Sequence, residues 1–415
     1  MRAITLGQCV GVFGELLFNN GVMLLYMTAL GLSSERIIFY LSLPWLLLSI
    51  FGIPAAFLND HYGKKKMGYL GQALFLVCMG LLILAGFVRS PWDEICLAVG
   101  IVVFGIGSAL FVGGFFALMS PIVPEETRGR FLGNYRFAWQ TVVVVLTGAC
   151  TLFLSNRSPL SAFQLVLGIA CVGLVIRMAV FYRKIPELKN ERRSTHGLRK
   201  IFMEALRAEG YLPFCSYVFL LTLFTAIAPM IFALIECCVL KYGDGQVVWL
   251  ANTTMVGGVA GYLFGGFGVD RWGTKNVFLG SHFIFGAVIF MFLLRAGQPL
   301  PIFLYLGIVH LLYGIVAATS ITAISAEMLA LIPADNKSVS ISICTTLQLA
   351  GNALAGMLGA WILDMGLLKD SWQLFGNQLS QYDAILLVCG LMVVLLVVTL
   401  GLVPSVIRKE KPLHL

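Results

Sequence analysis

Ionisable and amide side chains stand inside apolar stretches of this sequence: Glu15, Asn19 and Tyr26 in the first, Arg136 and Gln140 in another, His310 and Tyr313 in a later one. A charge near the centre of a bilayer costs about 2.5–3.5 kcal/mol even on a lenient insertion scale, so such residues face a partner or a wet cavity. If residues 5–30 form one helix, Asn19 and Tyr26 follow Glu15 at spacings that put all three on one face. Asn20 points about 100° away. Glu15 would then lie roughly 15 Å inside the membrane and Arg136, next to Trp139, roughly 7–8 Å, at about 1.5 Å per helical residue. An extended Arg136 could span much of that difference, and a carboxyl in alternating contact with an arginine can load and release a proton. The other readings are helix-to-helix hydrogen bonding by Glu15 and Asn19, snorkelling by Arg136 and a local hydrogen bond for His310. Arg177 and Glu327 lie close to the ends of their apolar runs and are expected at the interface, with Glu236 near the opposite end of its own. Asn252, Gln348 and Asn352 are read as packing contacts.

A second pattern occurs twice. The stretch Ala56-Phe57-Leu58-Asn59-Asp60-His61-Tyr62-Gly63-Lys64-Lys65-Lys66 is matched by Gly266-Phe267-Gly268-Val269-Asp270-Arg271-Trp272-Gly273-Thr274-Lys275, with the two acids 210 positions apart. Each stands between two apolar runs. The acid can sit against the positive end of a helix, the glycine permits a tight turn, and the cations can pair with the acid or with lipid phosphate. The repeat continues in Pro124-Glu125-Glu126-Thr127-Arg128-Gly129-Arg130 and, 209 positions on, Pro333-Ala334-Asp335-Asn336-Lys337.

The elements that must hold these groups are membrane helices. With 59% hydrophobic and 12% charged residues among 415, the chain cannot bury its apolar surface in a soluble domain. A span needs roughly 20 helical residues, and the apolar runs suggest twelve: 5–30, 36–58, 67–88, 95–120, 131–154, 161–182, 213–240, 246–269, 275–296, 300–331, 337–364 and 382–405. Of 28 basic residues, 20 fall on the side that would hold both termini and six on the other (Arg36, Arg89, Arg157, Lys241, Arg295, Lys369). The positive-inside rule therefore places both termini in the cytoplasm. This bias accounts for the net charge of +8, so no nucleic-acid partner is implied. Residues 183–212 form a hydrophilic linker, either a plain connector or, through Leu198–Leu206, a segment on the inner membrane surface. The first apolar run lacks a cleavage signature and is expected to be retained.

Other chemistries find no residues to carry them. The ten cysteines are scattered, and Cys237-Cys238 lacks the spacing of a zinc or redox pair, so they read as small hydrophobes. The sequence contains no H-E-x-x-H, G-x-S-x-G or Walker A pattern. No enzyme activity, metal or cofactor is expected. The Gly257, Gly261, Gly265 ladder is read as a helix-packing face, and Pro229 as a kink.

The doubled acid–glycine–basic turn resembles the hairpin between the second and third helices of each half of the major facilitator superfamily. The resemblance implies an all-α integral membrane fold of twelve helices in two pseudo-symmetric halves, 1–182 and 213–415. It also implies a central cavity lined by the first, fourth, seventh and tenth spans, and rocking-type alternating access. It gives Asp60, Gly63, Lys64, Asp270, Arg271 and Gly273 a gating role, and Glu15, Asn19, Tyr26, Arg136, Gln140, His310 and Tyr313 a substrate or proton-coupling role. Ala56, His61 and Thr274 depart from the family pattern. The expected protein is a monomeric secondary transporter in a bacterial inner membrane, moving a small polar solute such as a sugar or organic acid with a coupling proton. A membrane sensor that binds without transporting and a drug or metabolite exporter are the alternatives. The fifth span shows Leu146-Thr147-Gly148-Ala149-Cys150 without the proline pattern of the drug antiporters, and the fourth lacks their arginine, which argues against drug export.

The basic-residue asymmetry makes a direct prediction. Reporters fused after Lys66, within 190–197 and after Lys411 should report the cytoplasm, and tags near Pro91 and Lys369 the outside. A cytoplasmic signal from either outer site would refute the twelve-span map.

Overall fold

The structure, a computed structural model, describes residues 2–19, 21–119, 128–154, 158–184, 210–331, 337–374 and 377–401. For Asn19, Asp60, His61, Lys64 and Arg136 it describes the backbone alone. The linker core and the turns expected at 124–130 and 333–337 lie outside the described residues, apart from backbone at their ends. The chain divides into two compact units, Met1–Arg193 with Tyr242–Trp249, and Ser194–Lys241 with Leu250–Leu415.

The first unit contains α1 (Arg2–Leu16), a 3-10 turn (Leu17–Asn19), α2 (Val22–Ala29), α3 (Ser34–Tyr62), α4 (Lys64–Ala85), α5 (Trp92–Met119), α6 (Arg128–Phe153) and α7 (Leu160–Lys184). The second contains α8 (Tyr211–Thr225), α9 (Ala228–Leu234) running into a π turn (Ile235–Val239), and α10 (Asp244–Trp272), whose first residues belong to the first unit. It continues with α11 (Thr274–Leu293), α12 (Ile302–Leu331), α13 (Lys337–Asp364) and α14 (Gln381–Leu396). Among the described residues ten helical segments are long and apolar enough to cross a membrane. Two shorter apolar helices, Ile4–Leu16 and Phe137–Phe153, stand where the first and fifth spans are expected. The fold is all-α and membrane-type. It adds one small antiparallel hairpin that the sequence reading does not anticipate, Ser371–Leu374 with Asn377–Ser380.

The first span departs from expectation. It is not one helix over 5–30, because α1 tightens into the 3-10 turn and α2 restarts after Gly21, whose φ of +80° suits glycine and few other residues. Glu15 and Tyr26 therefore sit on separate helices, and the shared face drawn from a continuous helix is lost.

Absent side chains allow the helices of each unit to approach closely. On α1, a Cβ on Gly7 would meet Phe181 at 2.5 Å, one on Gly11 would meet Arg177 Cβ at 2.8 Å, and one on Gly14 would meet Leu174 at 3.0 Å. In the second unit the Gly257, Gly261, Gly265 ladder lies against α12, as a packing face should. A Cβ on Gly261 would stand 2.8 Å from Ile315 Cα, and one on Gly265 would stand 3.0 Å from Thr319 Cα. Thr319 Oγ1 donates to the Gly261 carbonyl at 3.1 Å. Without a strong hydrophobic drive between helices in lipid, such contacts carry much of the association.

Gly261→Val should therefore destabilise the folded protein by about 1–3 kcal/mol through overpacking, read as earlier thermal unfolding in detergent. Gly266→Ala on the same helix, where nothing lies within 4 Å, should leave the midpoint unchanged or slightly raised. Equal behaviour of the two variants would refute the packing role.

Candidate functional site

Two of the tyrosines picked out by sequence serve the backbone. Pro229, in the first turn of α9, has no N–H to give to the carbonyl four residues earlier, which belongs to Thr225. The Tyr313 hydroxyl donates to that carbonyl at 2.9 Å. Tyr26, fully buried, donates from its hydroxyl to the Leu82 carbonyl at 2.6 Å, and Gln164 Nε2 reaches the Ile83 carbonyl at 3.3 Å. Both acceptors lie in the last turn of α4, where carbonyls lack the regular partner four residues on, and the Ile83 carbonyl also accepts from the Gly86 N–H at 3.2 Å. In this structure Tyr26 and Tyr313 cap carbonyls at helix interruptions, a use the sequence reading did not assign to them.

Glu15 pairs with two polar side chains in the first unit. Gln8, two turns earlier on α1, donates from Nε2 to Glu15 Oε2 at 3.0 Å. Arg177 Nη1 on α7 donates to Glu15 Oε1 at 2.5 Å. The Arg177 guanidinium carbon stands 4.5 Å from the centroid of Phe111 and 5.6 Å from that of Phe75, a cation–π setting that favours a desolvated guanidinium. Arg177 is completely buried, which corrects its expected place at the interface. The helix carries it inward where Gly11 leaves space, and the charge is paired by Glu15. The partner expected for Glu15, Arg136, has its side chain outside the described residues, as does Asn19. Gln140 sits half-buried on α6.

His310 and Glu236 meet in the second unit. The Glu236 Oε1 atom stands 2.7 Å from His310 Nε2, and Thr254 Oγ1 of α10 stands 2.8 Å from His310 Nδ1. With Glu236 ionised, Nε2 donates to it and Nδ1 accepts from the threonine hydroxyl. Glu236 Oε2 is buried and has no hydrogen-bond partner among the described residues. The π turn that carries Glu236 is a helix irregularity of the kind found frequently at functional sites. Close by, Arg295 forms a two-pronged pair with Asp383, Nη1 to Oδ1 at 2.6 Å and Nη2 to Oδ2 at 3.0 Å. Asp383 also accepts from the Ser380 N–H and hydroxyl, starting α14. Arg295 leaves its turn and packs inward over Phe292, so it is buried where a loop residue was expected. A separate neutral chain links Tyr217, His282 and Ser320 at 3.0 and 2.7 Å. Glu327, expected at the interface, is buried.

The doubled turn keeps its backbone geometry in both copies. Gly63 joins α3 to α4 with φ +100°, and Gly273 joins α10 to α11 with φ +79°, conformations that glycine adopts without strain. Asp270 and Arg271 are exposed, and the Arg271 guanidinium lies 5.6 Å from the centre of the Phe267 ring. The side chains of Asp60 and Lys64 lie outside the described residues. Neighbouring Asn59 is buried and donates to the Leu110 carbonyl at 3.2 Å, pinning the end of α3 to α5.

Comparison with known proteins agrees with this architecture. The sequence model of the Major Facilitator Superfamily matches residues 4–236, more than half of the chain. The protein belongs to that superfamily and is an integral multi-pass membrane protein of a transporter family. No curated protein matches its sequence. Among solved structures it is similar to the nucleoside transporter NupG, with a TM-score of 0.69 and 12% identity over 96% of this chain and 97% of the other. A D-xylose-proton symporter gives 0.71 and 15% over 96% of each chain. An auto-inhibited POT family peptide transporter gives 0.71 and 12% over 100% and 98%. At these identities the likeness is one of fold.

Proposed function

We propose that the protein is a secondary active transporter that moves a small polar organic solute, sugar-like or an organic acid, together with protons by rocker-switch alternating access. It would do so as a monomer in a bacterial inner membrane, with both termini cytoplasmic and residues 183–212 linking two six-helix halves. The observation that carries proton coupling is the buried Glu236–His310 pair. One carboxylate oxygen is held by the imidazole while the other is free, so a proton can be added without breaking an existing contact. A buried group that changes charge by one can bias two conformations, because the states differ in how far they expose or pair it. The names of the structurally similar proteins, which speak of nucleosides, xylose with protons and peptides, support a polar organic solute. Glu15, held by Gln8 and Arg177, is assigned to solute recognition, and the Asp60 and Asp270 turns to gating.

Glu236→Gln, assayed in proteoliposomes, should lose gradient-driven accumulation and its pH dependence while keeping solute exchange. Accumulation at the wild-type rate and with the wild-type pH profile would refute the coupling role.

Asp270→Asn tests the gate in the same vesicles. Neutralising an exposed acid beside the Gly273 turn should slow transport several-fold and leave equilibrium solute binding intact. Loss of binding from a folded variant, or an unchanged rate, would remove Asp270 from the gate.

A further inference from the structure

The Glu15–Arg177 pair uses one corner of the guanidinium. Nη1 donates to Glu15, whereas Nε and Nη2 are buried and have no hydrogen-bond partner among the described residues. Those two nitrogens form the side-on edge of an arginine, where two parallel N–H bonds match the two oxygens of a carboxylate. Donors on a buried ion are costly to leave unmade. The α1 backbone packs against this side of Arg177 at Gly11, where a Cβ would lie 2.5 Å from Nε, so only a residue without a side chain fits beside it.

Other groups around the cluster also lack partners. Gln8 Oε1, on the residue that positions Glu15, is buried and unpaired, and so are Gln72 Oε1 and the Tyr69 hydroxyl on α4. Tyr69 of α4 touches Tyr182 of α7 and Phe75 lies under the guanidinium, and Gln72 falls between the two along α4, turned about 60° from each. The glutamine oxygens accept hydrogen bonds and the guanidinium edge donates two. Glu15, about a fifth exposed, is the accessible rim of the cluster.

We propose that the Nε–Nη2 edge of Arg177 receives a carboxylate of the transported solute, with Gln8 and Gln72 accepting from its hydroxyl or amino groups. The solute is then a small organic acid and not a neutral sugar. The assignment rests on the transporter reading and narrows its substrate class.

Thermal unfolding of the purified full chain tests it, with gluconate set against glucose and lactate against lactamide at millimolar concentration. At least one acid should raise the unfolding temperature while its neutral counterpart does not. Arg177→Lys, which keeps the charge and loses the fork, should weaken the acid's affinity at least about tenfold, and Arg177→Gln should abolish the shift. Should the glutamine variant fail to fold, the lysine variant decides. Stabilisation by the neutral partners, no shift with either acid, or wild-type affinity in Arg177→Lys would overturn the proposal. No gradient enters this measurement, so its outcome is separable from the coupling test. Acid binding with unimpaired accumulation by Glu236→Gln removes coupling alone, and Glu236-dependent accumulation of a neutral solute removes the acid site alone.

Discussion

Inside a bilayer no water is available to a main-chain carbonyl, so each carbonyl released from a helix must be taken by another group of the same chain. The shape of this protein depends on how that requirement is met where helices break. Pro229 interrupts the seventh span and frees the Thr225 carbonyl, and Tyr313, from a helix distant in sequence, supplies the donor. The last turn of α4 is finished in the same manner by Tyr26 and Gln164. Because these donors are single hydroxyls and amides on neighbouring helices, each break is also a point of attachment. The π turn that brings Glu236 to His310 ends the short helix that starts at this interruption.

Charge is handled by the same economy. Arg177 is accepted into the first unit because Glu15 pairs it, two phenylalanine faces cover it and Gly11 makes room. Arg295 and Asp383 neutralise each other in the second unit through two hydrogen bonds, and Asp383 starts a helix with its remaining capacity. An isolated charge in these positions would cost several kcal/mol. Both arrangements need close helix approach, supplied by the glycine face of α1 in the first unit and by Gly286 of α11 and Gly390 of α14 in the second.

The membrane class, most spans and the doubled turn are legible in the sequence because they depend on local quantities: the length of an apolar run, an acid ahead of a glycine, a ladder at every fourth position. Gly63 and Gly273 take the backbone conformations that their place in the pattern demands. The partners of the buried charges are not local. Gln8 and Glu15 share a helix face and could have been paired, but Arg177 stands 162 positions from Glu15. Its place near the end of its apolar run suggests an interfacial residue, a reading that ignores the space at Gly11. Tyr26 and Tyr313 mislead for a related reason: a polar aromatic in a span reads as a cavity group until the carbonyl it caps is known. The Ser371–Leu374 hairpin sits between apolar runs, where hydropathy carries no signal.

Each buried cluster carries a charged group with hydrogen-bonding capacity to spare. In the first unit the surplus on that group is of donors, the Nε and Nη2 nitrogens of an arginine already neutralised by Glu15. In the second it is of acceptor capacity, one oxygen of a glutamate already held by a histidine. A surplus of donors on a cation suits an anion, and a surplus of acceptor capacity on a carboxylate suits a proton. On the proposed reading, solute and proton therefore need not compete for one group, and their coupling would have to pass through the conformations of the helices. α1 carries one carboxylate and the π turn that ends α9 carries the other, and α1 and α9 both adjoin helix interruptions, at Leu17–Gly21 and Ala226–Ile227. Occupancy of either site would then act on the chain where its helices are already broken, where the least hydrogen bonding must be remade for a change of shape.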